Sequence, residues 1–312
     1  MSQCSDAEFA IVFQNSGAPA AAKRANITER GAYKRRDRLE KELGVKIEAP
    51  TENKRKRTPV THNPRIELEV DSGRVIVFSD AHYWPGLVTT AHKALLKFCK
   101  TLKPVAVIAN GDMMDGASIS RHSPLMWEEV PSVADEIACV QDRLGEVLSV
   151  SKGARHIWTF GNHDARFEAR LATVAPEFAH VHGVHLKDHF PEWEPCWSVW
   201  INGHTVVKHR FKSGTNAGHT NVQGAGMHMV TGHDHFLGVA PFTNYKDTLF
   251  GVRTGTLSDP SGPQFAYTED NPRNHRSGFV VLSFDGGRLL WPEMVHVLGD
   301  NEVEFRGEVH RV

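Results

Sequence analysis

The chain has 312 residues and a mass of 34.8 kDa, with 40% hydrophobic and 23% charged side chains, enough for one large domain or a medium domain with a small companion, and too long to need a disulfide scaffold. Its 36 basic and 37 acidic residues leave a formal charge of -1, so no whole-chain excess points to nucleic acid or a membrane surface. The 4 cysteines form no CxxC pair, the N-terminus lacks a basic and apolar leader, and no apolar run approaches the ~18 residues of a membrane span, so a cytoplasmic chain without membrane contact or cysteine zinc knuckle is expected.

The charge is unevenly placed. Residues 1–66 carry 14 Lys/Arg against 8 Asp/Glu and the rest 22 against 29, which predicts a boundary near residue 66. Asp6 to Phe13 is a short apolar-periodic stretch, and Ala20 to Arg24 is strongly helix-forming behind Pro19, which suits a first helical position. Thr28 is placed to cap a third helix running to about Leu43, where Gly44 stops it. Three short helices are expected in a basic module spanning 1–47. The small residues of AAAKR, a tight turn at Ala25 to Ile27, and Tyr33, Arg36 and Leu39 on the next helix resemble the helix-turn-helix of phage and bacterial DNA-binding modules. In those the second helix enters the major groove, which implies DNA contacts from Arg30, Lys34, Arg35, Arg36 and Arg38. The alternative is a solvated basic hairpin docked on the larger domain. Residues 48–66, with KRKR at 54–57, read as a charged linker.

A domain spanning 67–312 follows. RVIVF (74–78), VAVIA (105–109), HIWTF (156–160), TVVK (205–208) and MHMVT (227–231) read as buried strands. Helical patterns at about Leu87 to Thr101 and Ser132 to Val150 separate the first three, giving an α/β layered fold. FVVLSF (279–284), a turn at Asp285 to Gly287 and RLLW (288–291) form a hairpin. Trp158, Trp197 and Trp200 read as core, and Cys99, Cys139 and Cys196 as small packed hydrophobes.

The 19 histidines raise a suspicion of metal. Each of the five strand-like runs is followed by a metal-capable residue: Asp80 and His82, Asp112, Asn162 to Asp164, His209, then His233 and His235. Strand ends converge at one edge of a sheet, where α/β enzymes place their sites. Two carboxylates, an amide oxygen and four imidazoles are too many for one ion but suit two divalent ions sharing a carboxylate. Glycines before Asp112, Asn162 and His233 let the backbone turn sharply. Singly, such residues read as ordinary turn residues; five clusters in this order do not.

The motifs D-x-H, GDxxD (111–115), GNHD, a lone His after a strand and GHxH, over about residues 70–236, resemble the calcineurin-like metallophosphoesterase superfamily. The tail at 254–282 looks like phage-borne members. The resemblance implies a four-layer αββα sandwich, preceded here by the small all-α segment, with a two-metal site between the sheets. It implies that Asp80, His82 and His235 bind one ion, Asn162, His209 and His233 the other, and that Asp112 bridges. The ligand set favours manganese, with iron, zinc or nickel also suited. His163 resembles the histidine that protonates the leaving oxygen, with Asp164 orienting it. Arg166 binds phosphate or pairs with Glu168. Asp115 is either an outer partner of the ligands or a plain helix N-terminal acid. His219 is the rival of His209, with His204 and His228 structural.

Fold and metals do not choose among phosphate esters. The basic N-terminal segment favours DNA, hence a phosphodiesterase or nuclease using a metal-bridging hydroxide. The alternative is a phosphomonoesterase acting on protein or nucleotide, its N-terminal helices a lid or dimer contact. Oligomeric state and cleavage polarity are not written in the sequence.

Overall fold

The structure is a computed structural model that describes residues 4–49, 62–122, 127, 129–271 and 273–312. The KRKR run and most of the expected linker lie outside the described residues. The chain divides into two compact units, Met1–Pro59 and Val60–Val312. Among the described residues no helix is long and apolar enough to cross a membrane.

In the first unit, α1 (Asp6–Ala25) starts at Ser5, whose hydroxyl accepts from the Glu8 amide. The two helices expected between Asp6 and Arg24 are halves of this one element. They meet at Gly17, whose φ of 78° breaks the helix, and Pro19 follows the break where its missing N–H costs least. Asn26, left-handed at φ 54°, ends α1, and Thr28 caps α2 (Glu29–Leu43) by accepting from Gly31. Gly44 ends α2 in the left-handed region. Phe9, Phe13, Ala18, Ala21, Ala22, Ala32 and Leu39 form the shared core, the alanines allowing close helix approach.

The second unit begins with β1 (Ile66–Leu68), β2 (Gly73–Phe78), α3 (Thr90–Leu102), β3 (Ala106–Ala109), α4 (Val133–Val150), β4 (Arg155–Thr159) and α5 (Asp164–Val174). It continues with β5 (Glu194–Cys196), β6 (Val199–Ile201), β7 (Thr205–Lys208), α6 (Ala217–Ala225), β8 (His228–Thr231), β9 (Leu237–Thr243) and β10 (Thr248–Thr254). The tail holds β11 (Gly278–Asp285), β12 (Arg288–Leu289), β13 (Glu293–Gly299), β14 (Glu302–Phe305) and β15 (Glu308–Arg311). One sheet runs β15-β14-β13-β11-β2-β3-β4-β5, with β12 on β11; the other runs β1-β6-β7-β8-β10-β9. Within these, β2, β3 and β4 are parallel neighbours, as are β7 and β8.

Alternation along β2 shows the layering. Val75 and Val77 join Val199, Val207, Val230 and Val252 between the sheets, whereas Ile76 and Phe78 join Ala91, Leu95, Val140 and Leu144 of α3 and α4. On the far side α6 packs on β8, β9 and β10. The order is helices, sheet, sheet, helix: the αββα sandwich.

Three expectations need correction. The linker does not reach residue 66: Asn63 and Pro64 already accept from Trp197 and Ser198, and Ile66 pairs with Val199. The hairpin of β11 and β12 forms at Gly286 and Gly287, but its second strand stops at Leu289. Trp158 is core at 1% exposure, while Trp197 stays 41% exposed and Arg65 stacks 4.2 Å from the Trp200 ring, which is only partly buried.

Candidate metal centre

Two sheet edges, and not one as expected, supply the cluster. Asp80, Asp112 and Asn162 leave β2, β3 and β4 of one sheet; His209 and His233 leave β7 and β8 of the facing sheet. Asp80, His82, Asp112, His233 and His235 all have left-handed φ, between 39° and 76°. Such backbone is rare outside glycine and costs free energy, so the packing around it must over-determine it. Backbone hydrogen bonds between the loops do this: Asp80 N donates to Gly111 O and His82 N to Asp112 O.

The glycines serve less for turning than expected. Gly111 has φ 85°, and a Cβ there would lie 2.3 Å from His209 Nδ1. At Gly161 φ is ordinary and the need is space, since a Cβ would lie 2.0 Å from Asp112 Oδ1.

The side chains converge as three overlapping groups, Asp80 with His82 and His235, Asp112 with His209 and His233, and His82 with Asp112 and His163, the ligand atoms of each within 4.8 Å of one another. His209 Nε2 stands 3.0 Å from Asp112 Oδ2, and His235 Nε2 3.2 Å from Asp80 Oδ1. His209 Nδ1 donates to Asn110 O and His82 Nδ1 to Asp115 Oδ1, which turns the opposite ring nitrogens inward. His82 Nε2, His209 Nε2, His235 Nδ1 and Asn162 Oδ1 are buried without hydrogen-bond partners. Orphaned lone pairs on three imidazoles and an amide oxygen, beside two buried carboxylates, are what divalent cations require. The residues therefore fit a two-metal site. The electrostatics agree: burial opposes a charged His209, but Asp112 and Asp80 outweigh it and push the imidazole up to about 10. Burial likewise opposes a charged Asp80, yet His235 and His209 hold it at about 2. The pocket demands positive charge.

His209 is thus in the cluster. His219 faces Phe242 with ring centroids 5.5 Å apart, His204 Nε2 donates to Gly287 O, and His228 Nδ1 accepts from Phe250.

Around the ligands the roles differ from those expected. Asp164 does not orient His163. Its buried carboxylate accepts from Asp112, Met113 and Met114 amides, Gly161 N and Trp158 Nε1, holding the Asp112 turn against β4. Burial and the Asp112 charge push it up to about 6 against those donors. Asp115 does the orienting. Its carbonyl accepts from His163 Nδ1 at 2.7 Å, and its carboxylate lies 3.2 Å from the same nitrogen and 2.9 Å from His82 Nδ1. Burial opposes the charge of Asp115, but these two histidines hold it well below the usual carboxylate range. His163 N donates to Asp112 Oδ1, and its Nε2 lies 4.0 Å from Asp112 Oδ2. Arg166 does not pair with Glu168: it donates to Asp115 O and lies 3.2 Å from His163 Nε2, while Glu168 binds His62 and His185.

Glu136 of α4 accepts from Gly116 and Ala117, fixing the chain just after Asp115. Burial raises it to about 7. A raised acid holds its proton longer folded than unfolded, so stability falls as pH rises from about 4.5 to about 7. Denaturant titrations across that window should show this decline, and Glu136→Gln should flatten it; an unchanged slope would count against the assignment.

The sequence reading passed over two further groups. Behind Asp80, Ser79 Oγ bonds its carboxylate and Thr254, Thr256 Oγ1 donates to Asp80 O, and Leu257 and Ser258 amides donate to Ser79 and Asp80 carbonyls. Phe265 packs against His82, His235 and His275, and Gln264 donates to His82 O. The tail at 254–282, singled out for its resemblance to phage-borne members, contains the first group in Gly255 to Ser258; nothing periodic announced the second.

The family profile for calcineurin-like phosphoesterases matches residues 73–265. The chain belongs to the calcineurin-like phosphoesterase family. Its members are metal-dependent phosphoric ester hydrolases, and this chain is one. Comparison with curated proteins returned no match. Among solved structures the chain is similar to a zinc complex of Vps29 from Entamoeba histolytica, at 13% identity, TM-score 0.39, covering 77% of this chain and 98% of that one. It is similar to an archaeal phosphodiesterase at 14% identity and TM-score 0.38, covering 72% and 99%. It is also similar to a Saccharomyces cerevisiae protein serine/threonine phosphatase at 12% identity and TM-score 0.37, covering 76% and 85%.

Proposed function

We propose that this phosphoesterase is a DNA-directed phosphodiesterase of nuclease type, loaded with manganese and working in a host-cell cytoplasm on phage business. The observation that carries the reading is the basic N-terminal unit: a three-residue turn at Asn26 to Thr28 leads into α2, whose exposed side repeats Arg30, Lys34 and Lys41. Asp80, His82 and His235 would hold one ion, Asn162, His209 and His233 the other, with Asp112 between the two groups. Two bound divalent ions supply Lewis-acid polarisation of the phosphoryl group and an acidified water. His163, its Nδ1 committed to Asp115, turns Nε2 to the cluster and, as the doubly protonated imidazolium, gives the Nε2 proton to the leaving oxygen. Arg166, against that ring, keeps it in place and adds positive charge beside the substrate.

One observation favours the phosphomonoesterase alternative, with the helices as lid or dimer contact. Asp6 takes both Arg35 and Arg38, and Arg36 leans on Phe13 and Tyr33, so three of the five expected DNA-contacting residues serve the unit's own packing. The deciding experiment compares a bis-para-nitrophenyl phosphodiester with linear DNA, using full-length protein and a version lacking residues 1–59. The cut must stop there, since His62 and Asn63 already bond into the catalytic unit. Loss of DNA cleavage with the small diester spared is expected. Turnover of monoesters alone would replace this reading with the second.

A further inference from the structure

The sequence HRFKSGTNAG (209–218) enters the site only through His209, yet Lys208, Arg210 and Lys212 place three cations within five residues. His209 is buried, whereas Arg210, Phe211 and Lys212 are exposed, Phe211 at 45%. Both lysine ammonium groups lie 5.7 Å from the Phe211 ring centre. Among the described residues no carboxylate pairs with Lys208, Arg210 or Lys212. The N-terminal arginines contrast with this, since Arg24, Arg35, Arg36 and Arg38 all have acid partners. Arg210, the residue after His209, is close enough for its charge to act on His233, and the Lys212 ammonium lies along α6 beside Gly224.

An exposed loop of this kind would ordinarily be loose, but this one is clamped. Lys212 N donates to Asn221 Oδ1 and its carbonyl accepts from Asn221 Nδ2, with Asn221 buried on α6. Arg253 donates to the Thr215 and Gly214 carbonyls and to Asp234, which lies between His233 and His235. The backbone that carries the cations is thus registered to the backbone that carries the ligands. Such rigidity lets long side chains meet an anion with less loss of freedom.

We infer that residues 208–212 form a subsite for the phosphates flanking the scissile bond, so that the substrate is an oligonucleotide strand and not a mononucleotide or an isolated diester. Lys208, Arg210 and Lys212 contact the backbone phosphates, and Phe211 offers an apolar face to a sugar or base. This rests on the phosphodiesterase reading above.

The test is the full-length double variant Lys208→Gln/Lys212→Gln against the natural protein, both manganese-loaded, on the bis-para-nitrophenyl diester and on a 12-nucleotide single strand. Neither residue touches a ligand's hydrogen bonds, so hydrolysis of the small diester should stay within about twofold. On the 12-mer kcat/KM should fall roughly 10- to 100-fold, with the salt dependence shallower by about one to two phosphate contacts. Equal loss on both substrates, or no loss on the 12-mer, overturns the subsite. If the natural protein cleaves the small diester but no DNA, the nuclease reading fails separately. Inorganic tripolyphosphate, with metal in excess, then serves as the competitor. Weaker inhibition of the double variant, by about tenfold, supports the subsite, and equal inhibition overturns it.

Discussion

His163→Ala is expected to lower kcat on the small diester by roughly 10²- to 10⁴-fold, the range for losing a positioned proton donor, while bound metal stays at two ions per chain. The geometry separates the two readouts. His163's link to Asp112 Oδ1 runs through its backbone amide, which alanine keeps, and its ring nitrogens are not among the buried orphans. Its Nδ1 is committed to Asp115 and its Nε2 approaches Asp112 only to 4.0 Å. Because His163 also lies within ligand distance of His82 and Asp112, the contrary result has a definite meaning. If metal content, read by elemental analysis, falls in step with turnover, His163 is a ligand and not a proton donor.

Gly161→Ala is expected to do more damage with a smaller chemical change. The new methyl would sit 2.0 Å from Asp112 Oδ1 and 2.5 Å from Asp112 N, so the Asp112 carboxylate and its turn must move together. That turn is also pinned by Asp164, which leaves it little freedom to yield. Metal affinity should drop by at least the 10- to 100-fold typical of a disturbed support around a ligand, and activity with it. Stability should fall by about 1–3 kcal/mol from overpacking. Gly145→Ala in α4, where a Cβ meets nothing within 4 Å, is the matched control and should be neutral or slightly stabilising. Full metal binding by the Gly161 variant would show that the turn is softer than its hydrogen bonds imply.

Much of this site was legible because the chemistry sits directly behind β-branched runs. RVIVF, VAVIA and TVVK need no partner to be read as strands, and the residue after a parallel strand has only one place to go. The fold was less legible where strands are short or polar on both faces. β5 is Glu-Pro-Cys, and β13 to β15 mix Glu, His and Arg with valine, so neither alternation nor a buried run marks them. Direction was not legible at all. Asp164 adjoins His163 in the chain, which suggested a pair, but it opens α5 with its carboxylate turned back toward Asp112, and Asp115 reaches the ring from another loop. Likewise GHDH does not reveal that Asp234, between two cluster histidines, pairs with Arg253.

The division of ligands between the two sheets has a mechanical meaning. Asp80, His82, Asp112 and Asn162 belong to one layer and His209, His233 and His235 to the other. Ions held by both layers would act as rivets through the seam of the sandwich, at the edge where the apolar filling of Val77, Val207 and Val230 gives out. Slippage between the layers would pull every rivet at once, so catalytic competence and the closure of the seam rise and fall together.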